Sequence, residues 1–131
     1  MNFIPAKITE IKSVESVTIV AFDSSNLTMK MMALDMNEPL EVGSSVVLGV
    51  KASHISLAKR VQEDVSISNQ LLTSIDSLRK GELLCSVKLR FHDSILESII
   101  TMESALKMNL LVGDKVIALI KSSDLFIKRL D

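Results

Sequence analysis

VGDKVIALIKSSDL, residues 112–125, is matched in step by VGSSVVLGVKASHI, residues 42–55, at an offset of seventy positions. Working outward, NFIPAKITEI (2–11) lies against NQLLTSIDSL (69–78) at an offset of sixty-seven, with the asparagine, the apolar positions and the ending in agreement. The growth of three between the two matches means a three-residue insertion in the second copy. Its simplest place is the turn around FHDS (91–94), because turns absorb insertions at least cost. The chain therefore divides into a first repeat, 1–59, a polar linker, 60–66 (RVQEDVS), and a second repeat, 67–131. A unit of about 60 residues is marginal as an independent core, so the copies are expected to support each other.

Within each copy the dominant period is two. Cys85, Val87, Leu89 and Phe91 alternate with Ser86, Lys88 and Arg90, the pattern of a strand with one buried face. The corresponding SVTIVAF is β-branched through its centre. KVIALIK (115–121) and SVVLGVK (45–51) are continuously apolar and fit strands buried on both sides. Gly81 and Gly113 stand where turns precede strands. TMESALKMNLL predicts a short helix, with Thr101 as N-cap, Glu103 in its first turn, and Met102, Ala105, Leu106 and Leu110 on one apolar face. In the first copy Pro39 cuts the equivalent helix short. The expected architecture is mainly β: two tandem OB-like small barrels of five strands, each with one short helix.

Composition narrows the function. No apolar run approaches the ~18 residues of a membrane span, and MNFIPAKITE is not a signal peptide, so a soluble cytoplasmic protein without membrane insertion is expected. The one cysteine, Cys85, allows no internal disulfide and suits a reducing compartment; on the apolar phase of its strand it reads as a core residue. A net charge of −1, no basic block, no Trp or Tyr and four Phe leave neither the charge nor the stacking platforms that nucleic acid needs. There is no Walker A sequence, no nucleophile elbow and no paired His and carboxylate set, so the chain is not expected to be an enzyme. His54 and His92 read as turn residues, and the methionines of MKMMALDM as core filling.

SISNQLLTSI, followed by SIITMESALKMNLLVGDKVIALIKSSDLFI, resembles the molbindin family, the Mop or TOBE domain that binds molybdate and tungstate. The family pattern runs S-x-R-N-Q-L, then T-x-x-S, then G-x-x-V-x-x-x-I-K-[SA]-[ST]-D-V. The second copy follows it over nearly its full length and the first more loosely. The resemblance implies an oxyanion site, with molybdate or tungstate as ligand and no directly bound metal. Lys121 and Ser122 would be ligands in the second copy, together with Ser66, the backbone beside Ile67, and the segment at Ser68 and Asn69. Lys51, Ala52 and Ser53 would form the lesser site of the first copy. Ser68 stands where the pattern has arginine, which removes a bidentate, permanently charged group; Lys59 and Arg60 are the nearby basic pair that could replace it.

The chemistry agrees with this assignment. A tetrahedral dianion with four acceptor oxygens needs hydrogen-bond donors, a cation and no adjacent carboxylate, and a Lys-Ser turn supplies charge, hydroxyl and backbone N–H groups within three residues. The resemblance further implies sites completed between repeats and subunits, in a homo-oligomer, a trimer first and a dimer second. No winged helix or nucleotide-binding domain accompanies the repeats, so a free-standing binder for storage, homeostasis or sensing of the oxyanion is expected. The alternative is a tandem interaction module that has lost the anion and docks on a regulator or transporter.

Overall fold

The structure, a computed structural model, describes residues 1–130. In the first half the alternating segments form β1 (Asn2–Val14), β2 (Val17–Ser24), β3 (Leu27–Leu34) and β4 (Ser45–Val50), and a 3-10 turn at Ala52–His54 leads into β5 (Ile55–Ala58). The second half repeats the order as β6 (Asn69–Lys80), β7 (Leu84–Phe91), β8 (Ser94–Thr101), the helix α1 (Met102–Met108), β9 (Lys115–Ile120) and β10 (Phe126–Leu130). Cys85, Val87, Leu89 and Phe91 are all buried, and β4 and β9 are buried at every position after their first residue, as their apolar patterns require.

The strands do not assort by half. One sheet has the order β10-β4-β1-β2-β3 and the other β5-β9-β6-β7-β8, so each repeat sends its last strand into its twin's sheet. Ile55 and Leu125, the equivalent residues just past the crossing turns, are 1% and 2% exposed. Each sheet then curls until its outer strands approach. Ser98 Oγ of β8 donates to Ile55 O of β5 at 2.6 Å, and Met32 N of β3 donates to Ser122 O, in the turn before β10, at 3.0 Å.

The exchanged pairs differ in size between the two sheets. Gly49 lies opposite Phe126, whose ring passes so close that a Cβ at Gly49 would sit 2.6 Å from it. At the equivalent place in the other sheet, Leu119 lies opposite Ser56. Small faces large in one sheet and large faces small in the other, so each repeat fits its twin better than a copy of itself.

Two asparagines fasten the sheets together. Asn69 Oδ1 accepts from Lys30 N at 2.7 Å and its Nδ2 donates to Lys30 O at 2.8 Å. Asn2 does the same to Glu97 N and O, at 2.7 and 2.8 Å. Each carboxamide imitates one ladder step across the junction of the halves. The β-bulges at Ile8 and Ile75 are also equivalent, each held by a glycine at positive φ: Gly43 N donates to Ile8 O and Gly113 N to Ile75 O, both at 2.8 Å.

Three sequence expectations need correction. The offset of sixty-seven persists through β3 and β8, whose joining turns 25–26 and 92–93 are equally long, and becomes seventy only at β4 and β9. The three extra residues therefore lie in the connection 102–114 that carries α1, not near FHDS. The first half has no helix there: 35–44 is three residues shorter, contains Pro39, and begins with Asp35 at φ 51. In α1, Thr101 caps through Ser104 N at 3.1 Å as expected, and Ala105 and Leu110 are buried, but Leu106 is 66% exposed. Seven residues make too few turns to bury the whole predicted stripe.

Candidate functional site

Lys51 and Lys121 each end a buried strand, where the ladder stops and the chain must leave its sheet. Both are followed by the same tight turn, closed by His54 N donating to Lys51 O and by Asp124 N donating to Lys121 O, each at 2.9 Å. Because the last strands are exchanged, the two turns lie against each other on the approximate twofold axis relating the halves. His54 Nδ1 and Asp124 Oδ1, equivalent positions, are 3.6 Å apart there, an ion pair when the imidazole is protonated.

Strand register fixes the neighbours of each lysine. Asn69 pairs with Ile120 and Ile55 pairs with the same Ile120 from the other side. Lys121 and Ser68 each lie one residue beyond the pair of Ile120 with Asn69, and His54 lies one residue before Ile55. In the other half Asn2 pairs with Val50 and Gly49 with Phe126. Met1 and Lys51 likewise lie one residue beyond the pair of Asn2 with Val50. The two turns are unequal in composition: the Lys121 turn holds Ser122, Ser123 and Asp124, and the Lys51 turn Ala52, Ser53 and His54.

Among the described residues, Lys51, Lys121, Ser53, Ser66, Ser68 and Ser122 make no side-chain hydrogen bond or ion pair within the chain. Ser122 is half-buried, Ala52 is buried, and both lysines are exposed. Asn69 differs from the rest of the candidate set, because both ends of its carboxamide are engaged by Lys30; it positions the Ser68 segment. Ile67 O accepts from Gln70 Nε2 at 2.9 Å, and the same Gln70 clasps the linker through Gln62 N and O, both at 2.9 Å. The segment from Ser66 to Ser68 is therefore held by its carbonyls, with its N–H groups turned to no partner among the described residues.

Lys59 and Arg60 do not stand beside Ser68. They follow the far end of β5, where Ala58 pairs with Ile117, and line a separate cleft with Ser104, Lys107 and Met108. His54, read from the sequence as a plain turn residue, is brought against Asp124 of the Lys121 turn. Nothing in its local sequence signals this, since only the exchange of β5 carries it there. Among the described residues no group of three His, Cys, Asp or Glu is arranged to hold a metal ion, so the chemistry available at the turns is that of hydrogen-bond donors and cations.

Residues 65–127 match the TOBE domain family. The second half of the chain is similar to a TOBE domain. The match runs from the end of the linker through β9 and into the exchanged β10, and the first half shares the register of its strands and bulges. The fold is similar to that of the cytoplasmic molybdate-binding protein ModG, in a form with molybdate bound, at a TM-score of 0.89 and 20% identity over 96% of this chain and 94% of that one. At that identity the likeness is one of fold, and it takes in both halves. No curated protein sequence matched. Among the described residues no helix is long and apolar enough to cross a membrane.

Proposed function

We propose that this tandem TOBE protein binds molybdate or tungstate in the cytoplasm, at the Lys-Ser turns, for storage, homeostasis or sensing. The observation that carries the reading is the Lys121 turn: among the described residues the ammonium of Lys121 and the hydroxyls of Ser122 and Ser68 have no partner within the chain, and the carboxylate of the turn, Asp124, faces His54 Nδ1 at 3.6 Å. The molybdate bound by ModG, whose fold this chain shares over nearly its whole length, supplies the ligand class. The anion is held by hydrogen bonds and charge alone. Ser66, Ile67 and Ser68 complete the second site; Lys51, Ala52 and Ser53 form the first, in which Ala52 stands where the second has the Ser122 hydroxyl. Both turns lie at the surface, and we take the remaining donors to come from neighbouring subunits in a trimer or, second, a dimer.

Lys121→Ala should lose a charge-assisted hydrogen bond of roughly 1.5–3 kcal/mol, about tenfold to a hundredfold in affinity by titration calorimetry. Lys51→Ala should have the smaller effect, because Ala52 leaves its turn one hydroxyl fewer. Equal binding in wild type and Lys121→Ala would return this lysine to an ordinary solvated charge.

Ser68→Arg tests the departure from the family pattern. A guanidinium one strand away from Lys121 can fork two oxygens, a gain of about 1–3 kcal/mol, opposed by up to about 2 kcal/mol of side-chain entropy. The expected net result is a severalfold tighter complex. The absence of that arginine favours the other reading, a docking module that has lost its anion. No molybdate or tungstate binding by either wild type or Ser68→Arg would establish that reading instead, and stoichiometric molybdenum or tungsten in protein purified from cells fed the anions would exclude it.

A further inference from the structure

On the outward face of the second sheet, Ser74 of β6 is paired with Arg90 of β7 on one side and with Lys115 of β9 on the other. Laterally paired residues share a face and stand about 5 Å apart per strand. Arg90 and Lys115 therefore rise on either side of the Ser74 hydroxyl, rooted about 10 Å from each other, close enough for two long side chains to converge on one small ion. His92, in the turn after β7 with its ring edge-on to Phe91 at 4.7 Å, joins them. Together with Leu72 and Thr73 these residues line a cleft of about 280 Å³ with no carboxylate in its wall. Asp76 meets Arg90 Nη2 at 3.3 Å, engaging one of the five donors that a guanidinium carries. Asp114 is turned to its own loop, where Oδ2 accepts from Leu111 N at 3.0 Å.

The first half is an internal control. Its equivalent row has Lys7 in the centre, paired with Asp23 on one side and Ser45 on the other, so cation and acid compensate each other within the sheet. In the second half the same row holds two cations around a hydroxyl. We propose that this row is a second oxyanion site, for a tetrahedral inorganic anion of the phosphate or molybdate type. Lys115 and Lys121 are at opposite ends of β9, about 20 Å apart along the strand, so the site does not depend on the reading of the Lys121 turn.

Backbone-amide NMR titration of the whole chain with sodium phosphate, sodium molybdate and, at matched ionic strength, sodium chloride tests it. Saturable shifts around Ser74, Arg90, His92 and Lys115, separate from those at the Lys121 turn, are expected with phosphate, molybdate or both, and the anion that gives them identifies the source. Lys115→Ala and Arg90→Ala should each weaken this binding about five- to twentyfold, while Lys121→Ala leaves it unchanged. Both substituted side chains are exposed, and an unaltered amide spectrum elsewhere confirms folding. Equal shifts with chloride, or an unchanged titration in Lys115→Ala, would overturn the proposal.

Discussion

Expressed as separate polypeptides, residues 1–64 and 65–131 are expected to give no folded monomer of either half, and mixing the two should restore the native far-ultraviolet spectrum and a cooperative melt. Cut at the linker, the first half keeps β1 to β4 but carries β5 with nothing to pair against, and the second half is left likewise with β10. Each sheet then shows a fully apolar strand, β4 or β9, at an open edge, a ready site for aggregation. Ile55 and Leu125, now almost entirely buried, would each lose about 1.5–3 kcal/mol of burial. With the ladder bonds of β5 and β10 gone as well, little remains of the 5–15 kcal/mol typical of a whole domain. Light scattering and thermal melts of each half decide the matter: a monomer with a sharp transition from either one alone would show that the exchange is incidental to stability.

Asn69→Ala should be among the most destabilising single substitutions outside the apolar core. Asn69 is 1% exposed, and its carboxamide is the partner of both Lys30 N–H and Lys30 C=O. Removing it strands two backbone groups at the junction of the sheets, at about 1–3 kcal/mol each. A total of about 2–6 kcal/mol should lower the urea midpoint by roughly 1–3 M, taking a mid-range slope of about 2 kcal/mol/M. Asn69→Asp should do at least as much harm, because the donor is lost and a carboxylate is pressed against Lys30 O. An unchanged midpoint in both variants would sink the fastening role. Molybdate affinity per folded molecule should fall far less in Asn69→Ala than in Lys121→Ala, which separates a positioning residue from a ligand.

Asn69 also shows where the sequence stopped short. The match of Asn2 with Asn69 marked the residue as part of the repeated pattern, and its place in S-x-S-N suggested an anion ligand. Its partner is thirty-nine residues away in the other half, a distance over which no local spacing carries information. His54 was missed for the same reason. The Lys-Ser segments, by contrast, were legible, because a lysine at the end of an apolar strand followed by hydroxyls is a local chemical statement. The contact between the two turns was not, since His54 of one repeat meets Asp124 of the other only through the exchange of β5 and β10.

The sequence by itself determined the repeat, the β character, the buried faces of β4, β7 and β9, the cap at Thr101 and the glycine turns at 81 and 113. Each of these follows from side-chain period or from a conformational preference acting over a few residues. Only the tertiary structure decided which sheet receives β5 and β10. Backbone ladders are made by groups common to every residue, so any edge strand can pair with any other. The choice falls to long-range fit: Gly49 under Phe126, Leu119 beside Ser56, and two asparagines bridging the sheets. That choice sets the two Lys-Ser turns face to face on the axis of the molecule, where the sequence alone would have left them seventy residues apart.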